Sequence, residues 1–158
     1  MKYEEGKYAV KAGEYFKQGY NCSQSVVLAF AELCGMDTTM ALKISSSFGG
    51  GMGRLREVCG AVSGMFMVAG LLYGYDDAKD QMGKKEHYTR IQELAKAYEA
   101  ENGSIVCREL LGLSQKKDEP TPSLRTAEYY KKRPCEELVR IAAGIMEQYI
   151  EEHQIEEK

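Results

Sequence analysis

"VCGAVSGMFMVAGLLYGY", residues 58–75, decides the fold. Its apolar side chains fall on nearly every face of a helix drawn through it, the pattern of a central, buried helix. The stretch approaches the length of a membrane span, but four glycines and a serine interrupt it, which favours a core helix over a span. Gly60, Gly64 and Gly70 each weaken such a helix by about 1 kcal/mol relative to alanine. The expected compensation is close approach of another backbone or a bound group.

Around this segment the periodicity is helical. Tyr8, Ala12, Tyr15 and Phe16 form one apolar stripe on a first helix that ends near Gly19. Asn21 suits the N-cap of a second helix carrying Val26, Phe30 and Leu33, with Gly35 just past its end. Asp37 or Thr38 can cap a short third helix through Leu42 and Ile44. "FGGGMGR", residues 48–54, then places four glycines in five positions. It reads as a loop with unusual backbone angles or close backbone contacts.

Beyond the central helix, a polar helix is expected from about Asp77 to Glu101, with Ile91, Leu94, Ala95 and Tyr98 as its stripe and Asn102–Gly103 at its end. Ser104 can cap a short helix, "IVCRELLG", stopped by Gly112. Residues 114–133, with two prolines and many charges, read mostly as loop. A last helix starts at Pro134 and buries Leu138, Ala142, Ile145, Met146 and Tyr149, and residues 151–158 read as a frayed tail. The expected architecture is all-α, a single-domain bundle of about six to seven helices over residues 1–158, with the glycine-rich helix at its centre.

A chain of 158 residues buries about 70% of its unfolded surface and needs no disulfides to hold together. Its net charge of −3 and interleaved charges argue against nucleic-acid binding. "MKYEEGKYAV" offers no apolar export signal, so a cytoplasmic protein without a membrane span is expected, with its thiols reduced.

Against that background stand five isolated cysteines: Cys22, Cys34, Cys59, Cys107 and Cys135. Cys22 follows the cap Asn21, Cys59 opens the glycine-rich helix, Cys107 lies three residues past Ser104, and Cys135 follows Pro134. All four fall in the first turn of a helix, whereas Cys34 falls in the last turn of helix two. A helix start carries partial positive charge and free N–H donors, which favour thiolate. Arg54 and Arg56 before Cys59, Arg108 after Cys107 and Arg133 before Cys135 act in the same sense. Cys34 should then be the least ionised. The plain alternative is that cysteines simply fill core space. The two histidines, His87 on a polar helix and His153 in the tail, read as solvated.

"GYNCSQSV", "FGGGMGR", "CGAVSG", "CREL" and a final lone cysteine, in that order, resemble the C_GCAxxG_C_C family of small bacterial and archaeal proteins described as redox-active. The resemblance covers roughly Tyr8 to Tyr149. It implies that Cys22, Cys59, Cys107 and Cys135 are the working residues, the same four that lie at helix starts. Two departures stand out. Where the family name spells glycine, cysteine, alanine, this chain reads Cys59, Gly60, Ala61. Where the family often has glycine before the acidic residue, this chain has Arg56, so its loop is bulkier and more positive.

Three chemistries follow. Four thiolates could converge on an iron–sulfur cluster or other metal for electron transfer. In that case Gly60, Ala61 and Gly64 would let the backbone approach, and the loop of Gly49, Gly50, Gly51 and Gly53 would fold over the site. Two of the four could instead cycle as a disulfide with Cys59 as nucleophile and no cofactor, the pairing being open. Or the four could hold a structural zinc ion in a binding module. Electron transfer implies a redox partner protein, which the sequence does not identify. Eight methionines and eleven tyrosines leave surface for pairing as a homodimer.

Overall fold

The computed structural model describes residues 2–113, 119–127, 129 and 134–154. The chain forms an all-helical bundle in which α1 spans Lys7–Lys17, α2 Cys22–Phe30, α3 Thr38–Ser45, α4 Gly49–Met52, α5 Gly60–Tyr73, α6 Gln81–Asn102, α7 Cys107–Leu110 and α8 Cys135–Glu152. No strand occurs among the described residues, only an isolated antiparallel bridge between Val58 and Val106. None of the described helices is long and apolar enough to cross a membrane.

α5 is the buried centre. Ala61, Val62, Met65, Val68 and Ala69 have no exposed surface. The helix packs on α2, α6 and α8, while α1 lies against α2 and α8. Two of its glycines are explained by contact. A methyl group added at Gly64 would stand 2.9 Å from the Ser23 carbonyl oxygen and 3.1 Å from Val26 Cβ, both on α2. One added at Gly60 would stand 2.7 Å from the Phe48 carbonyl oxygen and 3.2 Å from Cys22 Cβ. Gly70 differs, since an added methyl there would meet only His87 Nε2, at 4.0 Å.

The expected N-caps hold at α2 and α3. The Asn21 side chain accepts the Gln24 N–H at 2.9 Å while Gln24 Oε1 accepts the Asn21 N–H at 3.1 Å, a closed capping box. Asp37 accepts from Met40 N–H, and Asp80 accepts from Gly83 N–H, so α6 begins at Gln81 rather than Asp77. Gly103, at φ +86°, ends α6 as expected.

Other expectations shift. α2 ends at Phe30, leaving Leu33 43% exposed and Cys34 in the turn that follows. Pro134 is the N-cap of α8 rather than its first residue. α7 begins at Cys107 with Val106 as N-cap; the Ser104 hydroxyl instead accepts the Val106 N–H and donates to Glu109. His87 is buried rather than solvated, with Arg90 Nη1 2.9 Å from its Nδ1, because the ring faces α5 at Gly70 and Tyr75 packs edge-on beside it. His153 is exposed and stacks on Tyr149. In the segment read as loop, residues 119–126 are neither helix nor strand, whereas 127 and 129 are helical; the rest, 114–118, 128 and 130–133, lies outside the described residues, as does 155–158 of the tail. Residues 151–152 still belong to α8.

The α2–α5 contact sets a direction for glycine replacement. Gly64→Ala gains about 1 kcal/mol of helix propensity but forces a methyl group onto the α2 backbone, an overpacking of about 1–3 kcal/mol. Thermal unfolding should fall by about 3 °C. Gly70→Ala, with room for its methyl, should raise it. Equal responses from the two would show that the α2–α5 contact is not tight.

Candidate functional site

The four cysteines at helix starts line one cavity of about 550 Å³. Cys22, Cys107 and Cys135 are the first residues of α2, α7 and α8, and Cys59 is the N-cap of α5. Cys34 does not reach this cavity. None of the five is in a disulfide.

Local structure brings each one in. The capping box sets Cys22, and Asn21 Nδ2 also donates to the Ser46 carbonyl, tying the start of α2 to the approach of the glycine segment. Cys59 and Cys107 are fixed together by the bridge between the two segments that precede them. The Cys59 N–H donates to the Ile105 carbonyl at 2.8 Å and the Cys107 N–H to the Glu57 carbonyl at 2.6 Å. Two helices that start 47 residues apart thus begin side by side.

The glycine segment is a left-handed turn, not an open loop. Gly50, Gly51, Met52, Gly53 and Arg54 have φ of +68°, +69°, +70°, +61° and +68°, and Arg56 has +61°. This is the region that favours glycine. Position 51 also demands glycine for space, since a methyl there would stand 2.6 Å from Cys107 Cβ. Gly49, Gly50, Gly51, Gly53 and Gly60 line the cavity. Ala61 and Gly64 do not; Ala61 is core and Gly64 faces α2.

The sulfurs have unlike surroundings. Cys22 and Cys135 share a thiol–thiol hydrogen bond. Cys59 Sγ lies 3.5 Å from the Tyr98 hydroxyl, and Arg56 Nη1 lies 3.5 Å from Cys107 Sγ. Tyr98 is fully buried and Arg56 only 2% exposed. Arg125 closes another part of the wall, donating to the Phe16 and Tyr20 carbonyls at 2.9 Å. Tyr98 was visible in the sequence only as a core position, because its role depends on α6 crossing Cys59.

Burial overrides the helix starts. Desolvation pushes the Cys59 thiol up to about 11, although the Tyr98 hydroxyl and the Ala61 and Val62 N–H groups act against it. The hydrogen bond to Cys135 holds Cys22 well above the usual thiol range, helped by burial and by the other two thiols. The expected order is therefore corrected. Cys34, pushed to about 11 by burial, stands level with Cys59 rather than apart from it as the least ionised. Removing charge from water outweighs a partial dipole. The Tyr98 phenol is likewise raised by burial and then by Cys59.

A family model described as "Putative redox-active protein (C_GCAxxG_C_C)" matches residues 20–149. No curated protein and no solved structure matches. The match spans the capping box, the glycine turn and the start of α8 that together bring the four thiols to one cavity, and the chain belongs to the C_GCAxxG_C_C family.

Proposed function

We propose that this protein is an electron carrier that holds an iron–sulfur cluster through Cys22, Cys59, Cys107 and Cys135. The observation that carries the reading is the arrival of four thiols from four helix starts at one cavity. Cysteine thiolates are the usual ligands of such clusters, and a cluster supplies one-electron transfer. The raised thiols suit this role better than that of free nucleophiles, because metal binding displaces the protons that burial holds in place. Four helix starts and the buried Arg56 surround the sulfurs with positive potential, which offsets the negative charge of a thiolate-ligated cluster. Among the described residues no group of three or more His, Cys, Asp or Glu side chains is already set to hold a metal ion.

The Cys22–Cys135 contact favours a second reading, a dithiol that cycles with a disulfide. In that exchange one thiolate attacks a substrate disulfide and releases one thiol. The other then attacks the mixed disulfide and releases the second thiol, so two electrons and two protons pass to the substrate. The touching pair does not include Cys59, the nucleophile suggested by its sequence position.

Protein purified without oxygen should contain iron with matching acid-labile sulfide, lost in Cys59→Ser and retained in Cys34→Ser. Neither iron nor sulfide, with fewer thiols counted before a reductant than after it, would overturn the cluster and leave the exchange. The thiol environment gives an independent check. A pKa near 11 for Cys59 lies two units above the ordinary thiol, so in metal-free protein at pH 8 its alkylation should be about a hundredfold slower than that of an unperturbed cysteine. The rate should climb about tenfold per pH unit until about pH 11. A rate that levels off below pH 8 would restore Cys59 as a nucleophile.

A further inference from the structure

We infer that the left-handed turn of residues 50–56 exists to press the Arg56 guanidinium onto the Cys107 sulfur, and that Arg56 raises the electron affinity of the four-cysteine centre. The inference rests on the cluster reading above and names a positioning residue for it.

Six of the seven residues from Gly50 to Arg56 have positive φ, and three of them, Met52, Arg54 and Arg56, carry side chains. A left-handed conformation is unfavourable for a residue that carries a Cβ. A plain connection from α3 to α5 would need none of this. The turn is held by its own hydrogen bonds, Gly53 N–H to the Gly49 carbonyl at 3.0 Å, Arg56 N–H to the Gly50 carbonyl at 3.3 Å and Glu57 N–H to the Gly51 carbonyl at 3.0 Å. It is then fastened to the helix that begins with Cys107. The Arg56 carbonyl accepts from the Arg108 N–H and from Arg108 Nη1, both at 3.3 Å.

The side chain supplies the second, independent observation. Arg56 is 2% exposed and lines the cavity, with Nη1 3.5 Å from Cys107 Sγ. Strained backbone and a buried guanidinium at one residue, with Nη1 beside a cavity sulfur, point to a functional role. A cation at a ligand sulfur stabilises the state with more negative charge. When the centre takes one electron from an outside one-electron donor, its net charge falls by one and no bond is made or broken. The reduced form therefore gains more from Arg56 than the oxidised form does. Hydrogen bonds to the sulfurs and local charge are established levers on cluster potential.

The test is potentiometric titration of the protein purified without oxygen, with mediator dyes, for wild type, Arg56→Lys, Arg56→Gln and Arg56→Gly. Iron and acid-labile sulfide per chain and thermal unfolding are measured on the same samples. Arg56→Gly is the informative variant, because it removes the charge while relieving the positive φ. Its unfolding temperature should hold or rise. Its midpoint should fall by at least a tenfold change in the oxidised-to-reduced ratio, 59 mV for one electron. Arg56→Gln should shift in the same direction, and Arg56→Lys, which keeps the charge, should stay closer to wild type than either. An unmoved midpoint in Arg56→Gly and Arg56→Gln at full iron and sulfide content overturns the role of Arg56 and leaves the cluster standing. A fall in unfolding temperature with no change of midpoint likewise overturns it in favour of a purely structural arginine. Wild-type protein with no iron and no sulfide overturns the cluster reading and this inference with it.

Discussion

The structure depends on one contact, the seating of α5 directly on the backbone of α2. Gly64 and Gly60 present no Cβ to Ser23 and Cys22, so the helices close to a separation that any side chain would prevent. That contact places the start of α5 beside the start of α2, and Cys59 arrives in the same cavity as Cys22. The glycines lower the intrinsic helix propensity of α5. Burial of Ala61, Val62, Met65, Val68 and Ala69 on its other faces offsets that loss many times over, at roughly 25 cal/mol per Å² of apolar surface removed from water.

A second constraint joins the remaining thiols. The bridge between Val58 and Val106 is too small to count as a sheet, yet it aligns the entrances to α5 and α7. α8 then enters with Cys135 at its first residue, packed against α1, α2 and α5. Three different devices, a glycine contact, a backbone bridge and a helix-to-bundle packing, thus converge on one space. The thiols there are not equivalent, since one meets a phenol, one a guanidinium and two each other.

The chemistry of the site is a competition between two effects of comparable origin. Helix starts and arginines favour thiolate, and burial opposes it. For Cys59 burial wins. A sequence reading can see the helix start, because capping is local, but cannot see the desolvation, because that is a property of everything packed above the residue. His87 shows the same limit in reverse. Its helix is polar, so it reads as solvated, and only the packing of α6 on α5, with Tyr75 beside the ring, removes it from water.

Sequence alone determined the helical class, most helix starts and the buried face of the glycine-rich helix, and it singled out the four cysteines that line one cavity. Each of these is written in short-range patterns: 3.6-residue periodicity, cap residues, glycine at left-handed positions, and an ordered set of motifs. Leu33 and the start of α7 were misread because they turn on where a helix stops, which tertiary contacts decide. The left-handed hand of residues 50–54, the bridge at Val58, Tyr98 on Cys59 and Arg56 on Cys107 were settled only by the tertiary structure. They join residues 39 to 51 positions apart, or depend on such joining, and no local pattern carries the direction in which two distant segments meet.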